Sequence, residues 1–284
     1  MDLRSEALDS PVWRAWLVPD DAGHVALGGP GLPALEALLL RARNDPRCRA
    51  FVLTSDGGEF CRGMDLRALN AAISEASPPT PGVGDDLALA AANAASSSSA
   101  AAIASFARCL GLLRALPAAT LCVVEGPVSG GGVGLVAACD LVIASSAATF
   151  VLPELLFGLI PAVVLPVLAE RVGPARARWL ALSGETLDLD AALRVGLVDE
   201  RSEDVVLTLA ARLKRLLRAS PAAVARLKLH AAEVAGLPLA DALAAGVART
   251  ATDVHDPEVR AAVAGFLAGE LPPWFARYRP GGHE

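Results

Sequence analysis

The chain has 284 residues, of which 54% are hydrophobic and 20% charged; this describes a folded protein with one substantial core plus a smaller appended unit, and excludes a disordered chain. With 25 Lys and Arg against 31 Asp and Glu, the net charge is −6, which argues against nucleic acid as a main partner. Five cysteines without CxxC spacing, a charged start without an apolar signal core, and apolar stretches broken by Gly, Pro, Asp or Glu predict a cytoplasmic protein with reduced thiols and exclude a disulfide frame, a metal site and a membrane span.

Residues 12–18 alternate in strand fashion, and Pro19-Asp20-Asp21 turns the chain. A second short strand is predicted at 24–27, ahead of the turn Gly28-Gly-Pro-Gly31. Residues 32–43 read as a helix with Leu35, Leu38 and Leu39 on its inner face, stopped by Asn44-Asp-Pro46 because proline cannot continue it. A β-branched run at 50–54 completes a strand–helix–strand pattern of the βαβ type. Residues 71–104 differ: Pro78-Pro-Thr-Pro81, Gly82, Gly84 and an Ala/Ser tract read as a flexible insertion. Then come a helix over 106–116, strands at 121–124, 141–144 and 149–151, and a helix over 133–138. From 205 onward the chain reads as helical, with Val205, Leu209, Leu213, Leu216 and Leu217 on one face.

The turn Gly130-Gly-Gly132, between a strand and a helix, leaves backbone N–H groups open to a ligand. It is suited either to a phosphate or to an oxyanion. Gly132-Val-Gly134-Leu-Val-Ala137 fits the dinucleotide fingerprint formally, but it lies mid-chain and Asp140 follows too soon to hold a ribose. Ser129 is not in a GxSxG turn, and His24, His230, His255 and His283 lie in no partner motif of a serine hydrolase. The oxyanion reading needs a second donor, for which Glu59-Phe-Cys-Arg-Gly-Met-Asp65 after the strand at 50–54 is the candidate. Glu154, set among apolar residues in Phe150-Val-Leu-Pro-Glu154-Leu-Leu-Phe-Gly158-Leu-Ile-Pro161, is predicted to have a raised pKa, as an acid/base catalyst near neutral pH requires. Asp140 is read as ending its helix or bonding nearby backbone, and Trp274 and Phe275 as packing anchors.

These three segments, in this order, resemble the crotonase superfamily of enoyl-CoA hydratases and isomerases. The matching residues are Phe60-Cys-x-Gly63-x-Asp65, Gly130-Gly-Gly132 followed by Ala138-Cys-Asp140, Phe150-x-x-Pro-Glu154-x-x-x-Gly158-x-x-Pro161, Arg171-Val-Gly173, and Ala191-x-x-x-x-Gly196-Leu-Val198. The resemblance implies an α/β fold: a crotonase-like ββα spiral core over residues 1–204, and a helical C-terminal trimerisation region over 205–284. It implies an oxyanion hole made by the backbone N–H groups of Met64 and Gly131, with Glu154 as the catalytic carboxylate. The substrate is then an acyl thioester of pantetheine or CoA, with no cofactor or metal, and the assembly a homotrimer or a dimer of trimers.

The departures are informative. Two-glutamate hydratases of this family carry a second glutamate where this chain has Gly134. Asp86, in the insertion, is a candidate replacement acid. The N-terminal pattern that helps the family bind the nucleotide end of CoA is absent. Glu154 through Pro166, and the ending from Asp256 to Trp274, are similar to dehydratases of polyketide β-branching, which act on 3-hydroxy-3-methylglutaryl groups of an acyl carrier protein. Arg212, Lys214, Arg215, Arg218, Arg226 and Lys228, in a segment with no acidic residue, are either a carrier-protein contact or a solvated helix face. An acyl-CoA hydratase or isomerase and a non-catalytic subunit of the same fold remain the alternatives.

Overall fold

The computed structural model describes residues 1–6, 10–65, 70 and 98–275. Strand β1 (Asp2–Glu6) pairs antiparallel with β2 (Val12–Val18) at the edge of a six-stranded sheet. From β2 the ladder continues in parallel through β3 (Ala50–Ser55), β4 (Ala119–Val124), β6 (Leu141–Ala144) and β8 (Glu200–Arg201). A second, two-stranded parallel sheet joins β5 (Val128–Ser129) to β7 (Phe150–Val151).

Helices α1 (Gly31–Asn44) and α2 (Ser98–Ala115) pack together on one side of the large sheet. Helix α3 (Gly131–Ala137) leaves the glycine turn and packs on α4 (Val164–Val172). Helices α5 (Pro174–Ser183) and α6 (Leu189–Val195) follow, and then α7 (Val205–Leu216), α8 (Pro221–Val234), α9 (Leu239–Asp253) and α10 (Pro257–Leu267).

The period-two pattern of the strands explains why both faces of the sheet are covered. Phe51 and Leu53 of β3 join Leu35, Leu39 and Leu113 in the main core. Their neighbours Ala50 and Val52 face the other way, with Leu121 and Val123, onto Leu213 and Leu217 beneath α7. Helix α7 begins with Asp204, whose side chain accepts the Leu207 N–H at 3.0 Å.

The structure corrects four expectations. The strand predicted at 24–27 is only a single bridge, Leu27 to Met64. Asp20 accepts the N–H groups of Ala22 and His24 at 3.0 Å each, and the Glu59 side chain accepts that of Val25 at 2.7 Å, so these donors do not enter a ladder. Strand β1 was not expected, because its largely exposed Asp-Leu-Arg-Ser-Glu edge shows no strong apolar alternation. Helix α2 starts at Ser98, inside the stretch assigned to the insertion; residues 71–97 of that stretch lie outside the described residues. The glycine-turn helix starts at Gly131, two residues earlier than its apolar pattern suggests, which makes Gly131 its first residue. Among the described residues, no helix is long and apolar enough to cross a membrane.

Candidate active site

The site forms where β3 and β4 end. After β3, the chain runs between two neighbours. Phe60 N–H donates to Pro127 O at 3.0 Å, and Ser129 N–H to Cys61 O at 2.8 Å. On the other side, Leu27 N–H donates to Gly63 O at 2.6 Å, and Asp65 N–H to Leu27 O at 3.3 Å. In this parallel bridge the residues flanking Met64 bond Leu27, so the Met64 N–H itself points to the opposite side. No acceptor for it is found among the described residues.

That opposite side is the glycine turn. A Cβ on Gly63 would fall 2.9 Å from Ser129 O, 3.0 Å from Gly131 N and 3.3 Å from the Gly130 Cα. Gly63 has φ +84°, so both its backbone angle and its contacts call for glycine. The close approach brings the Met64 segment against Gly131. The Gly131 N–H is the first of a helix and likewise meets no acceptor among the described residues. A Cβ at Gly131 would lie 2.5 Å from Leu27 Cδ1 and 3.3 Å from Phe106 Cζ, so the donor is flanked by apolar carbon. Two N–H groups in such surroundings stabilise developing negative charge far better than they would in water.

Glu154 closes the third side. It opens a 3-10 turn, Glu154–Phe157, that ends at Gly158 with φ +74°. A Cβ at Gly130 (φ +54°) would lie 3.0 Å from Glu154 Oε1 and 3.8 Å from the Gly63 Cα. Gly130, Gly63 and the Glu154 carboxylate are therefore mutual neighbours. Glu154 Oε2 is buried without a hydrogen-bond partner. Desolvation raises the Glu154 pKa, partly offset by a hydrogen bond from its own backbone N–H. A buried, unpartnered, desolvated carboxylate is equipped to exchange a proton.

The position of the family's second glutamate is closed as well as empty. Gly134 is buried, and a Cβ there would lie 3.1 Å from Val164 Cγ2, 3.3 Å from Phe106 Cζ and 3.4 Å from Leu110 Cδ1. Asp86 lies outside the described residues.

Other residues singled out by the sequence have structural roles. Asp140 Oδ2 accepts from Thr120 N at 2.8 Å, Thr120 Oγ1 at 2.9 Å and Lys228 Nζ at 2.6 Å. This fixes the segment after α3 to the start of β4 and ties α8 to both. The Trp274 carbonyl accepts from Arg49 at 2.8 Å, and the Arg218 guanidinium lies over the Phe275 ring. All five cysteines are buried, and burial pushes Cys48, Cys61 and Cys109 up to about 12, which keeps these three as thiols.

Half of the basic segment is engaged within the fold. Arg212 binds Glu200 at 2.6 Å, Arg226 meets Asp253 and Asp256 at 3.3 Å, and Lys228 holds Asp140. The end of α7, which carries Lys214 and Arg215, lies beside Arg49: that side chain, just before β3, donates to Leu217 O and Ala219 O at 2.8 Å each. The active site follows the other end of β3, about 20 Å away along a six-residue strand. The acids that meet Arg212, Arg226 and Lys228 come from other elements and were not visible in the local sequence. Leu27 and Phe106, as walls of the site, gave no local signal either.

The enoyl-CoA hydratase/isomerase family model matches residues 69–276. The bacillaene synthase dehydratase PksH of Bacillus subtilis (strain 168) is 38% identical over 112 residues, 39% of this chain and 43% of that protein. The enoyl-CoA hydratase AFT6-1 of Alternaria alternata is 31% identical over 153 residues, 52% of this chain and 41% of that protein. The chain thus spans less than half the length of these two relatives. An enoyl-CoA hydratase/isomerase structure from Marinobacter aquaeolei superposes with a TM-score of 0.81 and 26% identity, covering 96% of this chain and 99% of that one.

Proposed function

The chain belongs to the enoyl-CoA hydratase/isomerase family, and we propose that within it the protein dehydrates a 3-hydroxyacyl thioester, 3-hydroxy-3-methylglutaryl on an acyl carrier protein, in polyketide β-branching. It is an enzyme of the hydro-lyase kind. The observation that carries the finer reading is that, among the described residues, the Glu154 carboxylate stands beside two unpartnered N–H groups while apolar side chains crowd the position of a second acid at Gly134. The partial similarity to a bacillaene synthase dehydratase supports the same substrate class.

In this mechanism the thioester carbonyl oxygen accepts from Met64 N–H and Gly131 N–H. The Glu154 carboxylate takes the α-proton, and the C–H electron pair becomes an enolate held by the two donors. As the enolate collapses to the α,β-double bond, the C–O bond at the β-carbon breaks. The departing hydroxyl takes the proton back from Glu154 and leaves as water. Proton, electron pair and oxygen all balance, the reaction is redox-neutral, and Glu154 returns to its starting state. No metal or cofactor is assigned to any step. Each aligned donor contributes about 3–4 kcal/mol to transition-state stabilisation.

The assembly belongs to the same proposal. Helices α8, α9 and α10 have no buried residue, and they expose Leu227, Leu239, Leu243, Val247, Phe266 and Leu267. Helices need tertiary cover for their apolar faces, and a homotrimer or dimer of trimers supplies it.

The test compares 3-hydroxy-3-methylglutaryl carried on an acyl carrier protein with the same group on CoA, reading loss of water by mass spectrometry. Preference for the carrier-bound substrate supports the proposal. Equal or faster turnover of the CoA thioester, or turnover only of straight-chain enoyl-CoA, supports the second reading, an acyl-CoA hydratase or isomerase. That reading is favoured by the similarity to the Alternaria enoyl-CoA hydratase.

A further inference from the structure

Helix α3 carries the Gly131 donor, yet its sequence is a poor helix former. It has seven residues, Gly-Gly-Val-Gly-Leu-Val-Ala. Its three glycines each disfavour the helix relative to alanine, and its length is well below that of a self-supporting helix. The direction of the Gly131 N–H is therefore set by whatever grips α3 from outside.

Helix α4 grips it at two points. Val164 packs where Gly134 has no side chain. Eight residues after Gly131, the Cys139 carbonyl accepts from Arg171 Nη1 at 2.7 Å. Arg171 Nε donates to Leu197 O at 2.9 Å, and Nη2 binds Asp199 Oδ2. Asp199 in turn accepts the Val142 N–H at 2.7 Å through the same oxygen, and its own N–H donates to Val142 O at 3.0 Å. The Arg171 side chain is only 10% exposed. One planar fork thus joins α4, the exit from α3, the loop before β8 and, through Asp199, strand β6. Lysine has a single ammonium and cannot reproduce three fixed directions.

We propose that Arg171 is a positioning residue that fixes the far end of α3 and so aims the Gly131 N–H at the thioester oxygen. This rests on the reading of Met64 and Gly131 as the oxyanion hole. Arg171 touches no substrate; its effect passes through the helix exit and along the seven-residue helix, roughly 10 Å long. A misplacement of about 1 Å in a catalytic group is enough to cost as much as a hundredfold in rate.

The test uses the full chain with Arg171→Met and Arg171→Lys, and Arg212→Met as a control that removes a remote ion pair with Glu200. Three quantities are read: thermal midpoint, kcat and KM separately, and the carbonyl stretching frequency of a bound α,β-unsaturated thioester, obtained by difference Raman spectroscopy. A carbonyl polarised by two donors shifts to lower frequency. The expected result for Arg171→Met is a kcat lower by about tenfold to a hundredfold, KM within a few-fold, and a smaller carbonyl shift at saturation. Arg171→Lys should lie between it and wild type, and Arg212→Met should keep the full shift. If Arg171→Met does not fold, Arg171→Lys carries the comparison. Folded Arg171 variants with a lowered thermal midpoint but wild-type kcat and carbonyl shift would overturn the positioning role and leave the oxyanion hole standing. If the wild-type protein shows no carbonyl shift, the oxyanion reading itself fails.

Discussion

Replacing Glu154 with glutamine keeps the shape of the side chain and removes the proton exchange. Both proton steps of the proposed reaction use this one group, because Gly134 provides no second acid and its surroundings are apolar. General acid–base catalysis is worth about 10² to 10⁴ in rate. With both steps on one carboxylate the loss should lie near the upper value, about 5.5 kcal/mol of barrier. Stability should move the other way. Burial raises the folded-state pKa of Glu154, so the folded protein holds this proton more tightly than the unfolded chain. Stability then falls as pH rises from the unfolded value through the folded one, and the penalty is complete above the folded value. Glutamine carries no charge at any pH. At neutral pH, Glu154→Gln should therefore melt at or above the wild-type temperature, and the difference should vanish as pH drops below the ordinary carboxylate range. The assay pairs steady-state turnover of the thioester with thermal melts across pH. The acid limb of wild-type kcat/KM should lie above the usual glutamate value and be missing from the residual activity of the variant. Turnover of Glu154→Gln within a few-fold of wild type, in a folded protein, would refute the assignment of both proton steps to this carboxylate.

Gly63→Ala places a methyl group 2.9 Å from Ser129 O and 3.0 Å from Gly131 N, both backbone atoms, at φ +84°; the two donor segments must separate, and kcat should fall by about 10² to 10³, as for loss of one oxyanion donor, read by turnover at saturating substrate. Gly134→Glu should not create a two-glutamate hydratase: overpacking against Val164, Phe106 and Leu110 costs about 1–3 kcal/mol, with a further penalty for a carboxylate in an apolar cage, read as a lower urea midpoint together with unchanged or reduced hydration activity. Lys228→Met removes one partner of the exposed Asp140, which keeps Thr120 and Arg114; the thermal midpoint should drop by a few degrees at most, about 0–1 kcal/mol, while kcat of the remaining folded protein stays near wild type.

The sequence by itself determined the α/β class, because the alternation in 12–18 and the apolar run at 50–54 specify strands buried on both faces. It also flagged Glu154 as a carboxylate set for a raised pKa, although the apolar neighbours that suggested it, Leu156, Phe157 and Ile160, are exposed, and the glycine turn at Gly130 lies against the carboxylate instead. The glycines at 63 and at 130–132 were legible as turn residues beside backbone N–H groups a ligand could reach. These properties are local, carried by residues within a few positions of each other.

Only the tertiary structure decided how those pieces meet. The closeness of Gly63 to Gly131, and of Gly130 to Glu154, arises from the parallel return of β4 beside β3 and of β7 beside β5. Periodicity in one segment contains no information about the distance to another. The same reason explains why three cations of the basic stretch at 205–230 are engaged, because Glu200, Asp140, Asp253 and Asp256 reach Arg212, Lys228 and Arg226 through the fold. It also turned Gly134 from a missing side chain into a crowded position. A sequence shows that a residue has no carboxylate; only packing shows that Phe106, Leu110 and Val164 crowd that position, with a Cβ there 3.1 to 3.4 Å from their carbons.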